Sequence, residues 1–296
     1  MTYENLTICI PAYEEEEAIA DTLIGLRELF PEAEIIVVDD GSTDKTAAAA
    51  RAVEGVIVLS HGRNVGYGGA LKTAMRSSTR PVIAWCDSDG QHQPEDLVKV
   101  VQPVLAGEKD AVIGVRSSGS DVRRDRLVGK GILKMVATMV ARDRIPDLNS
   151  GLRCFRGDVI FRYLHLLPEG FSASSTTTLL LMKRGYRLGY EEITTQQRTG
   201  TSSVRMLRDG WRTIHLLVRI LILFDAFAFF AFLSAVQIIA ALIYGGFTAF
   251  TVGLGFPVLA AVVLISGILT FFMGLICDQI TAMRLERLEV PKSDGK

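Results

Sequence analysis

An uncharged run near the C-terminal end constrains this chain more than any other feature. No Asp, Glu, Lys or Arg occurs between Asp225 and Asp278. Roughly fifty uncharged, mostly apolar positions are enough for two membrane-spanning helices of about 20 residues each. Glycines and a proline interrupt the run at 245–257, and such residues favour a reversal of the chain. The run therefore predicts a helical hairpin of about residues 226–247 and 254–277.

The charges that flank this hairpin predict its orientation. Basic residues stand on both sides of it, at Arg198, Arg205, Arg208, Arg212 and Arg219 before it and at Arg284, Arg287, Lys292 and Lys296 after it. The connection between the two helices carries no charge. Positive charge collects on the cytoplasmic side of membrane proteins, so we expect a multi-pass protein of the cell membrane with both ends in the cytoplasm.

Residues 201–225 carry a second signal of the membrane. Their four arginines are spaced by three, four and seven positions, which places them near one face of a helix. Cations on one face with apolar residues elsewhere are typical of a helix that lies among anionic lipid headgroups. We expect a soluble domain at 1–200, a juxtamembrane amphipathic helix at 201–225, two transmembrane helices at 226–278 and a cytoplasmic tail at 279–296.

Composition and missing motifs exclude several classes of partner. The formal net charge is -1, so no excess of cations is available to neutralise nucleic-acid phosphates. The first strand is followed by PAYEEEE instead of GxGxxG, which speaks against a dinucleotide cofactor. No GxxxxGK[ST] occurs, which speaks against P-loop hydrolysis.

The first two-thirds of the chain alternates strand and helix patterns. Short β-branched runs typical of buried parallel strands occupy 6–12, 33–40, 55–60, 81–87 and 110–115. Helical stretches lie between them, at about 16–30, 43–53, 68–77 and 94–105. This order predicts an α/β, Rossmann-like domain with a mostly parallel sheet and right-handed crossovers.

Polar clusters stand at four successive strand ends of this predicted sheet. They are IPAYEEE, VVDDGSTD, HGRNVGYGGA and CDSDGQH. Ligands of parallel α/β sheets bind outside the carboxyl ends of the strands, so these clusters predict a binding site. The glycines of GYGGA fit either a phosphate cradle at a helix N-terminus or close packing of the helix.

Two adjacent carboxylates, Asp39 and Asp40, end the second strand. A purely structural role is the alternative, because Gly41 permits a tight turn and Ser42 or Thr43 can cap the next helix. Capping does not account for two carboxylates side by side. Asp39 and Asp40 are therefore candidates for hydrogen bonds to a nucleotide base or ribose.

The fourth strand ends in DSDGQH, which has the chemistry of a divalent cation site. Asp87, Asp89 and Gln91 stand at alternating positions and offer three oxygen ligands, which suit Mg²⁺ or Mn²⁺. The alternative is a solvated turn that leads into the helix beginning near Pro94. His92 is a lone histidine and is not counted among the ligands.

The motifs together carry a resemblance. In order along the chain, IPAYEEE, VVDDGSTD, GRNVGYGGAL, DSDGQH and DLNSGLRCFRGD resemble glycosyltransferase family 2, with its GT-A fold and D-x-D metal motif. The segment EGFSASSTTTLLLMKRGYRLGYEEI, then QQRTGTSSVR and the hairpin, resemble the polyprenyl-phosphate glycosyltransferases, the branch that contains dolichol-phosphate mannose synthase. The resemblance covers nearly the whole chain, from Leu6 to about Leu285.

The resemblance implies roles for matching positions. Residues lining the nucleotide pocket would be Pro11, Tyr13 and Glu15, with Asp39 and Asp40 at the base and ribose. The metal triplet would be Asp87, Asp89 and Gln91. Basic residues directed at the acceptor phosphate or the diphosphate would be Arg116 and Arg198. The segment near the donor sugar and acceptor would begin at Asp147 and include Asn149, Ser150, Gly151 and Arg153.

This chain also departs from the family pattern. Family members usually have Asn where Glu14 stands, often Lys where Tyr67 stands, and commonly Gly-Glu-Ser-Lys where this chain has GTSS at 200–203. Arg205 is the nearest cation that could replace the missing Lys.

The chemistry of the acceptor favours a lipid phosphate. A hydroxyl acceptor needs a general base, and Asp147 is the one plausible carboxylate beyond the metal pair. A phosphate monoester needs none, because its second pKa is about 6 and it is largely a dianion at neutral pH. We expect an inverting transfer of one sugar from a UDP- or GDP-hexose to polyprenyl phosphate, with inversion implied by the family.

The sequence leaves two other functions open. A transferase of the same fold could use a sugar hydroxyl in polysaccharide synthesis, and would depend on Asp147. A membrane-anchored scaffold with a degenerate nucleotide pocket would lack metal ligands, whereas the D-x-D motif is intact. The Gly and Ala content of the hairpin permits a homo-oligomer through the membrane helices.

Overall fold

The computed structural model describes residues 2–116, 146–148, 150–170, 172–194, 206–253 and 255–286. By its internal contacts the chain divides into two compact units, Met1–Asp209 and Gly210–Lys296. Each unit is described by itself below.

The first unit is built on a seven-stranded sheet with the strand order β3-β2-β1-β4-β6-β5-β7. Its strands are β1 (Leu6–Ala12), β2 (Glu34–Asp39), β3 (Val56–Ser60), β4 (Val82–Trp85), β5 (Ala111–Arg116), β6 (Arg153–Arg156) and β7 (Leu188–Ile193). Six strands run parallel, and β6 is antiparallel to both of its neighbours, β4 and β5. The predicted α/β fold with a mostly parallel sheet is therefore confirmed.

Helices connect the strands of this unit. They are α1 (Ile19–Leu29), α2 (Thr46–Arg51), α3 (Tyr67–Ser77), α4 (Pro94–Leu105), α5 (Gly157–Arg162), a 3₁₀ turn (Leu164–Leu166) and α6 (Ala173–Lys183). The helix predicted at 94–105 has the observed bounds, because Pro94 occupies its first turn. The helices predicted at 16–30 and 43–53 begin three residues later than predicted, because the residues preceding α1 and α2 form turns that bond to each other. They also end one or two residues earlier.

The core lies on both faces of the central strands. Every residue of β1 is buried, and Ile8 of β1 is level with Ile35 of β2 and Ala84 of β4. The two isoleucine side chains contribute roughly 1.5–3 kcal/mol each when fully buried. On β4 and β6, the rings of Trp85 and Phe155 pack with centroids 4.8 Å apart. The packed core thus holds the ends of the central strands in fixed positions relative to one another.

The second unit contains most of α7 (Met206–Val252) together with α8 (Val258–Glu286). Two stretches, Ala226–Thr251 and Val258–Met283, are long and apolar enough to span a membrane, with mean hydropathies of 2.4 and 2.5. The hydroxyl of Ser234 donates to the carbonyl of Gly267 at 2.8 Å. Gly267 also faces Ile238 without room for a side chain, so the two helices pack closely.

Helix α7 is continuous where the sequence pattern suggested breaks. It runs through residue 225, the predicted end of a separate juxtamembrane helix, and through Gly245 and Gly246. Helix α7 therefore ends at Val252 and α8 begins at Val258, several residues later than the predicted bounds of 247 and 254. A helix satisfies all its backbone groups internally, which favours its continuation through an apolar medium despite the glycines. The hydroxyls of Thr248 and Thr251 also donate to carbonyls four residues earlier.

Candidate active site

The ends of the central strands bring the predicted residues to one edge of the sheet. The strands β1, β2, β4 and β5 are parallel and end at Ala12, Asp39, Trp85 and Arg116. Because β6 is antiparallel, its first residue lies at the same edge, with Arg153 opposite Trp85. Residues 150–152, which precede β6, therefore meet the D-x-D loop that follows β4.

The residue between the two aspartates anchors the D-x-D loop. Ser88 is 4% exposed, and its hydroxyl donates to the carbonyl of Pro11 at 2.9 Å. The backbone amide of Gln91 donates to Oδ1 of Asp89 at 3.2 Å, which forms a turn after the motif. The loop is thereby fastened to β1. Pro11 is buried and its carbonyl is occupied, so it supports the loop from below.

Three groups surround the carboxylate of Asp87. The hydroxyl of Tyr67 donates to Oδ1 at 2.9 Å, and Nε2 of His92 lies 3.6 Å from Oδ2. A Cβ atom added at Gly151 would overlap this carboxylate. Burial disfavours the charged form, but the contacts with His92 and Tyr67 and the charge of Arg116 outweigh it and lower the pKa of Asp87.

Burial and the neighbouring charge of Asp87 raise the pKa of Tyr67 well above its usual value. The phenol therefore keeps its proton and acts as the donor to Asp87. Ser174 also bonds to the phenol, so Tyr67 is held on a second side.

Asp40 holds the loop that leads into α3. It is 3% exposed and accepts from Nδ1 of His61 at 2.6 Å and from the amides of Val65 and Gly66 at 2.9 and 2.7 Å. A nucleotide would have to displace one of these donors to bond with Asp40. The structure thus gives Asp40 protein partners, although the sequence suggested a base or ribose contact.

The glycines of GYGGA are packed against the chain near residue 169. Gly66 has a φ of 109°, and a Cβ there would lie 2.6 Å from the carbonyl oxygen of Glu169. A Cβ at Gly68 would overlap the carbonyl of Pro168. The amide of Gly69 donates to the same Glu169 carbonyl at 2.9 Å. Of the two roles the sequence left open, the structure supports close packing.

Asp39 differs from its neighbour in the chain. Its Oδ1 accepts from the amide of Ser42 at 3.1 Å, and among the described residues no donor reaches its Oδ2. Tyr13, which follows β1 at the same edge, is 42% exposed. These two side chains retain the capacity to contact a nucleotide.

The backbone conformation at Glu14 accounts for the Asn that family members usually have at this position. Its φ is 56°, a left-handed conformation in which Asn is several-fold enriched over most residues. Its Oε1 accepts from the amide and the hydroxyl of Thr43, both at 2.9 Å. The amide of Glu15 donates to the hydroxyl of Thr46 at 2.8 Å. The acidic residues after β1 therefore bind the turn that precedes α2.

Arg116 and Asp147 form a bidentate ion pair. Nε of Arg116 lies 2.7 Å from Oδ2 of Asp147, and Nη2 lies 3.0 Å from Oδ1. The hydrogen bonds and charge of Asp147 outweigh burial and raise the pKa of Arg116. The side chain of Arg116 is 37% exposed, so its cation is presented at the edge that carries Asp87.

Arg153 is fully buried and supports the segment before β6. Its guanidinium donates to the carbonyls of Ser150 and Leu148 at 2.7 and 2.9 Å, and to the hydroxyl of Thr178 at 2.6 Å. Burial lowers its pKa to about 10. The hydroxyl of Ser150 is buried, and no described residue bonds to it. Asn149 and Arg198, two other predicted site residues, lie outside the described residues.

The donor set at the end of β4 fits a divalent cation. Mg²⁺ is usually bound by one or two carboxylates together with substrate phosphates and water. Asp87 and Asp89 supply that number of carboxylates, and Gln91 follows them. Within the described ranges no three His, Cys, Asp or Glu side chains come together, so a ligand set of protein groups alone is not evident there. The site therefore fits a cation that is completed by a diphosphate.

Several contacts of the candidate site could not be predicted from sequence patterns. Tyr67, His92 and Gly151 surround Asp87 only because the sheet register joins distant segments. Asp96, in the first turn of α4, is likewise engaged by a distant segment: it is 3% exposed and accepts from the amide of Thr194 at 2.8 Å. It ties α4 to the residue after β7.

The sheet order, with an antiparallel strand beside the strand that bears D-x-D, defines the GT-A class of fold. Residues 7–164 match the model described as Glycosyl transferase family 2, and residues 228–283 match the one described as GtrB C-terminal hairpin. The chain belongs to glycosyl transferase family 2 and is a glycosyltransferase. The hairpin match and the two apolar helices make it a membrane protein.

Two curated relatives and one solved structure illustrate the similarity. A UDP-N-acetylglucosamine–dolichyl-phosphate N-acetylglucosaminyltransferase of Methanococcus voltae is 30% identical over 50% of this chain and 68% of its own length. An undecaprenyl-phosphate mannosyltransferase of Micrococcus luteus is 32% identical over 52% and 67%. Glucosyl-3-phosphoglycerate synthase of Mycobacterium tuberculosis, crystallised with Mg²⁺ and UDP, matches with a TM-score of 0.60 at 21% identity over 73% and 78%.

Proposed function

We propose that this protein transfers one sugar from a nucleotide-sugar donor to polyprenyl phosphate, with inversion at the anomeric carbon. Relatives that act on dolichyl and undecaprenyl phosphate support this acceptor class. The apolar hairpin supports it too, because a prenyl chain resides in the bilayer. The product would be a polyprenyl-phosphate sugar, a donor for envelope or glycan modification.

The ion pair of Arg116 and Asp147 is the observation that carries the proposal. Arginine binds carboxylate and phosphate through the same planar fork, and each pair is bidentate. Asp147 therefore binds the guanidinium of Arg116 in the way that an acceptor phosphate would. Arg116 is exposed enough to exchange one anion for the other, and its charge acts on the nearby Asp87.

The carboxylates of the D-x-D loop serve the donor side. Asp87, Asp89 and Gln91 would hold Mg²⁺ or Mn²⁺, and the ion when bound supplies positive charge to the leaving diphosphate. Asp39, with Oδ2 free of described donors, and the exposed Tyr13 would contact the nucleoside. Pro11, Asp40 and Arg153 would act beneath these groups by holding the loops that carry them.

The reaction needs little acid–base assistance. An oxygen of the lipid phosphate forms a bond to the anomeric carbon, while the bond from that carbon to the diphosphate oxygen breaks. The attacking phosphate is largely a dianion at neutral pH, since its second pKa is about 6. Nucleoside diphosphate leaves with the bonding electrons. Arg116, with Arg198 as the second proposed cation, would position the attacking phosphate.

The proposed organisation follows the sequence signals. A catalytic domain at 1–200 would be followed by a juxtamembrane segment at 201–225, two spans at 226–278 and a tail at 279–296. The basic flanks of the hairpin support a cytoplasmic location for the catalytic domain.

A donor screen tests the proposal. The purified full-length protein is incubated in detergent with short-chain polyprenyl phosphate, Mg²⁺ or Mn²⁺, and labelled UDP-glucose, UDP-N-acetylglucosamine, GDP-mannose or UDP-aminoarabinose. Label that enters the organic phase is counted. We expect transfer from one donor, and its loss with EDTA and in Asp89→Asn. Nucleotide binding without transfer from any donor would contradict the acceptor or the donor class, and absence of nucleotide binding would favour a scaffold.

A further inference from the structure

We infer that Tyr67, His92 and Gly151 are positioning residues that hold the Asp87 carboxylate ready to bind the divalent cation. This inference rests on the proposed function, because it assumes that Asp87 is a metal ligand. It gives Tyr67, His92 and Gly151 a role that the sequence motifs containing them did not indicate, each through a contact with the same carboxylate. They act through Asp87 and need no contact with the substrates.

Tyr67 fixes one oxygen of the carboxylate. It is the first residue of α3, and its hydroxyl lies 2.9 Å from Oδ1 of Asp87. The two residues before it, Val65 and Gly66, are held through their amides by Asp40. The phenol therefore comes from a backbone that is itself fastened to β2. A hydrogen bond from such a fixed donor restricts the rotation of Asp87.

His92 faces the other oxygen. Its side chain is 5% exposed, and Nε2 lies 3.6 Å from Oδ2 of Asp87. Its Nδ1 is buried, and no described residue bonds to it. A buried polar atom without a partner costs free energy, and such atoms in folded proteins call for an explanation beyond packing. The described charged partner of the His92 ring is Asp87, on the Nε2 side, which supports a role directed at that carboxylate.

Gly151 closes the third side. A Cβ at this position would overlap both oxygens of the Asp87 carboxylate, so the carboxylate lies directly on the backbone of residue 151. The backbone there is in turn supported by Arg153, which bonds to the carbonyl of Ser150. The carboxylate is thus confined between α3, the D-x-D loop and the segment before β6.

Metal affinity tests the inference without recourse to turnover. Free Mn²⁺ is titrated into detergent-solubilised full-length protein in the presence of UDP and followed by electron paramagnetic resonance. We expect Tyr67→Phe to weaken Mn²⁺ binding by about tenfold or more, the usual effect of losing an outer-shell partner. The matched control is Tyr186→Phe, which removes a hydroxyl that bonds to Tyr163. It should bind Mn²⁺ within about twofold of the wild type.

The other two positions extend the test. His92→Leu should weaken Mn²⁺ binding and His92→Gln should largely restore it, because Gln carries a donor in place of Nε2. Gly151→Ala should weaken binding more than Gly62→Ala, since a Cβ at Gly62 meets no atom within 4 Å. The melting temperature of each variant confirms that it is folded, and Tyr67→Phe decides the matter if Gly151→Ala unfolds.

A kinetic split separates positioning from a general structural role. Raising Mn²⁺ should restore the transfer rate of Tyr67→Phe, because the ligand itself remains, whereas Asp89→Asn should stay inactive. The inference would be overturned if both Tyr67→Phe and His92→Leu bound Mn²⁺ as tightly as the wild type while Asp87→Asn lost the affinity. That result would leave the proposed function standing. A wild type that binds no Mn²⁺ with UDP and transfers no sugar would overturn the proposed function together with the inference.

Discussion

Oδ2 of Asp40 lies 2.7 Å from the backbone nitrogen of Gly66. This contact joins the end of β2 to the residue that precedes α3. The next residue, Tyr67, reaches the carboxylate of Asp87 at the end of β4. The buried carboxylate of Asp40 thus helps to set the position of the Asp87 carboxylate through residues 66 and 67.

Replacing Asp40 tests this connection. In Asp40→Asn one carboxylate oxygen becomes an amide group that faces a backbone N–H donor, so at least one hydrogen bond is lost. We expect the free energy of unfolding to fall by about 2 kcal/mol. Sugar transfer should fall as well, because Tyr67 loses its support. Thermal unfolding and initial rates measure the two effects.

The control for Asp40 is Asp158→Asn, which disrupts an ion pair at the surface. The Asp158 side chain is 61% exposed and pairs with Arg156. Its loss should change the free energy of unfolding by less than about 0.5 kcal/mol. Equal melting temperatures for the two variants would show that the contacts of Asp40 are not worth more than a surface pair.

Asp147→Asn distinguishes a phosphate acceptor from a hydroxyl acceptor. Under the proposed mechanism Asp147 is only the resting partner of Arg116, so transfer to polyprenyl phosphate should change by less than about tenfold. Loss of a general base typically lowers the rate by about 10²–10⁴-fold. Initial rates at saturating donor measure the change. A thousandfold loss with nucleotide binding intact would favour a hydroxyl acceptor.

Asp110 predicts an acid dependence of stability away from the site. Hydrogen bonds from Arg187 outweigh its burial and, with Arg156, lower its pKa from 3.8 to about 2. The folded pKa is below the unfolded one, so the stabilisation is complete above about pH 4 and is lost as the pH falls through 2. It amounts to about 2 kcal/mol at most, since both arginines are partly exposed.

The measurement for Asp110 is the melting temperature at pH steps from 6 down to about 2. Asp110→Asn should lower stability at pH 6 and flatten its decline on acidification. Sugar transfer at neutral pH should remain close to that of the wild type, because Asp110 lies at the opposite edge of the sheet, just before β5. A decline as steep as the wild type's would argue against this contribution.

The hairpin offers a matched pair of glycines. A Cβ at Gly267 would lie 2.7 Å from Cγ1 of Ile238, whereas a Cβ at Gly246 meets nothing within 4 Å. Gly267→Val should therefore separate the helices and destabilise the hairpin by about 1–3 kcal/mol. Gly246→Val should have little effect. Thermal unfolding in detergent compares the two, and equal losses would mean that close packing at Gly267 is unimportant.

The sequence predicted those parts of the fold that depend on local patterns. Strands β1 to β5 lie within two residues of their predicted bounds, because each is a compact apolar run that ends in polar residues. Strand β6 was missed because RCFR is short and carries two arginines. Its burial depends on bonds from Arg153 to Ser150, Leu148 and Thr178, which no periodicity can indicate.

The candidate site depends on the sequence in a similar way. Paired acids at strand ends predicted a binding site at this edge of the sheet, but adjacent Asp39 and Asp40 look alike in sequence. Only the structure separates them, since one retains an oxygen without a described donor and the other is fully engaged with the 61–66 loop. The contact of Tyr67 with Asp87 likewise depends on the pairing of β4 with β1.

The placement of β6 between β4 and β5 has a consequence during synthesis of the chain. On the ribosome, β4 is complete at Trp85, but the strand that covers its free edge ends only at Arg156. At about 5–20 residues per second, the nascent half-sheet waits several seconds with an apolar edge unpaired. Such an edge is a template for wrong pairing, so the interval between β4 and β6 is the stage of synthesis at which this sheet is most exposed to it.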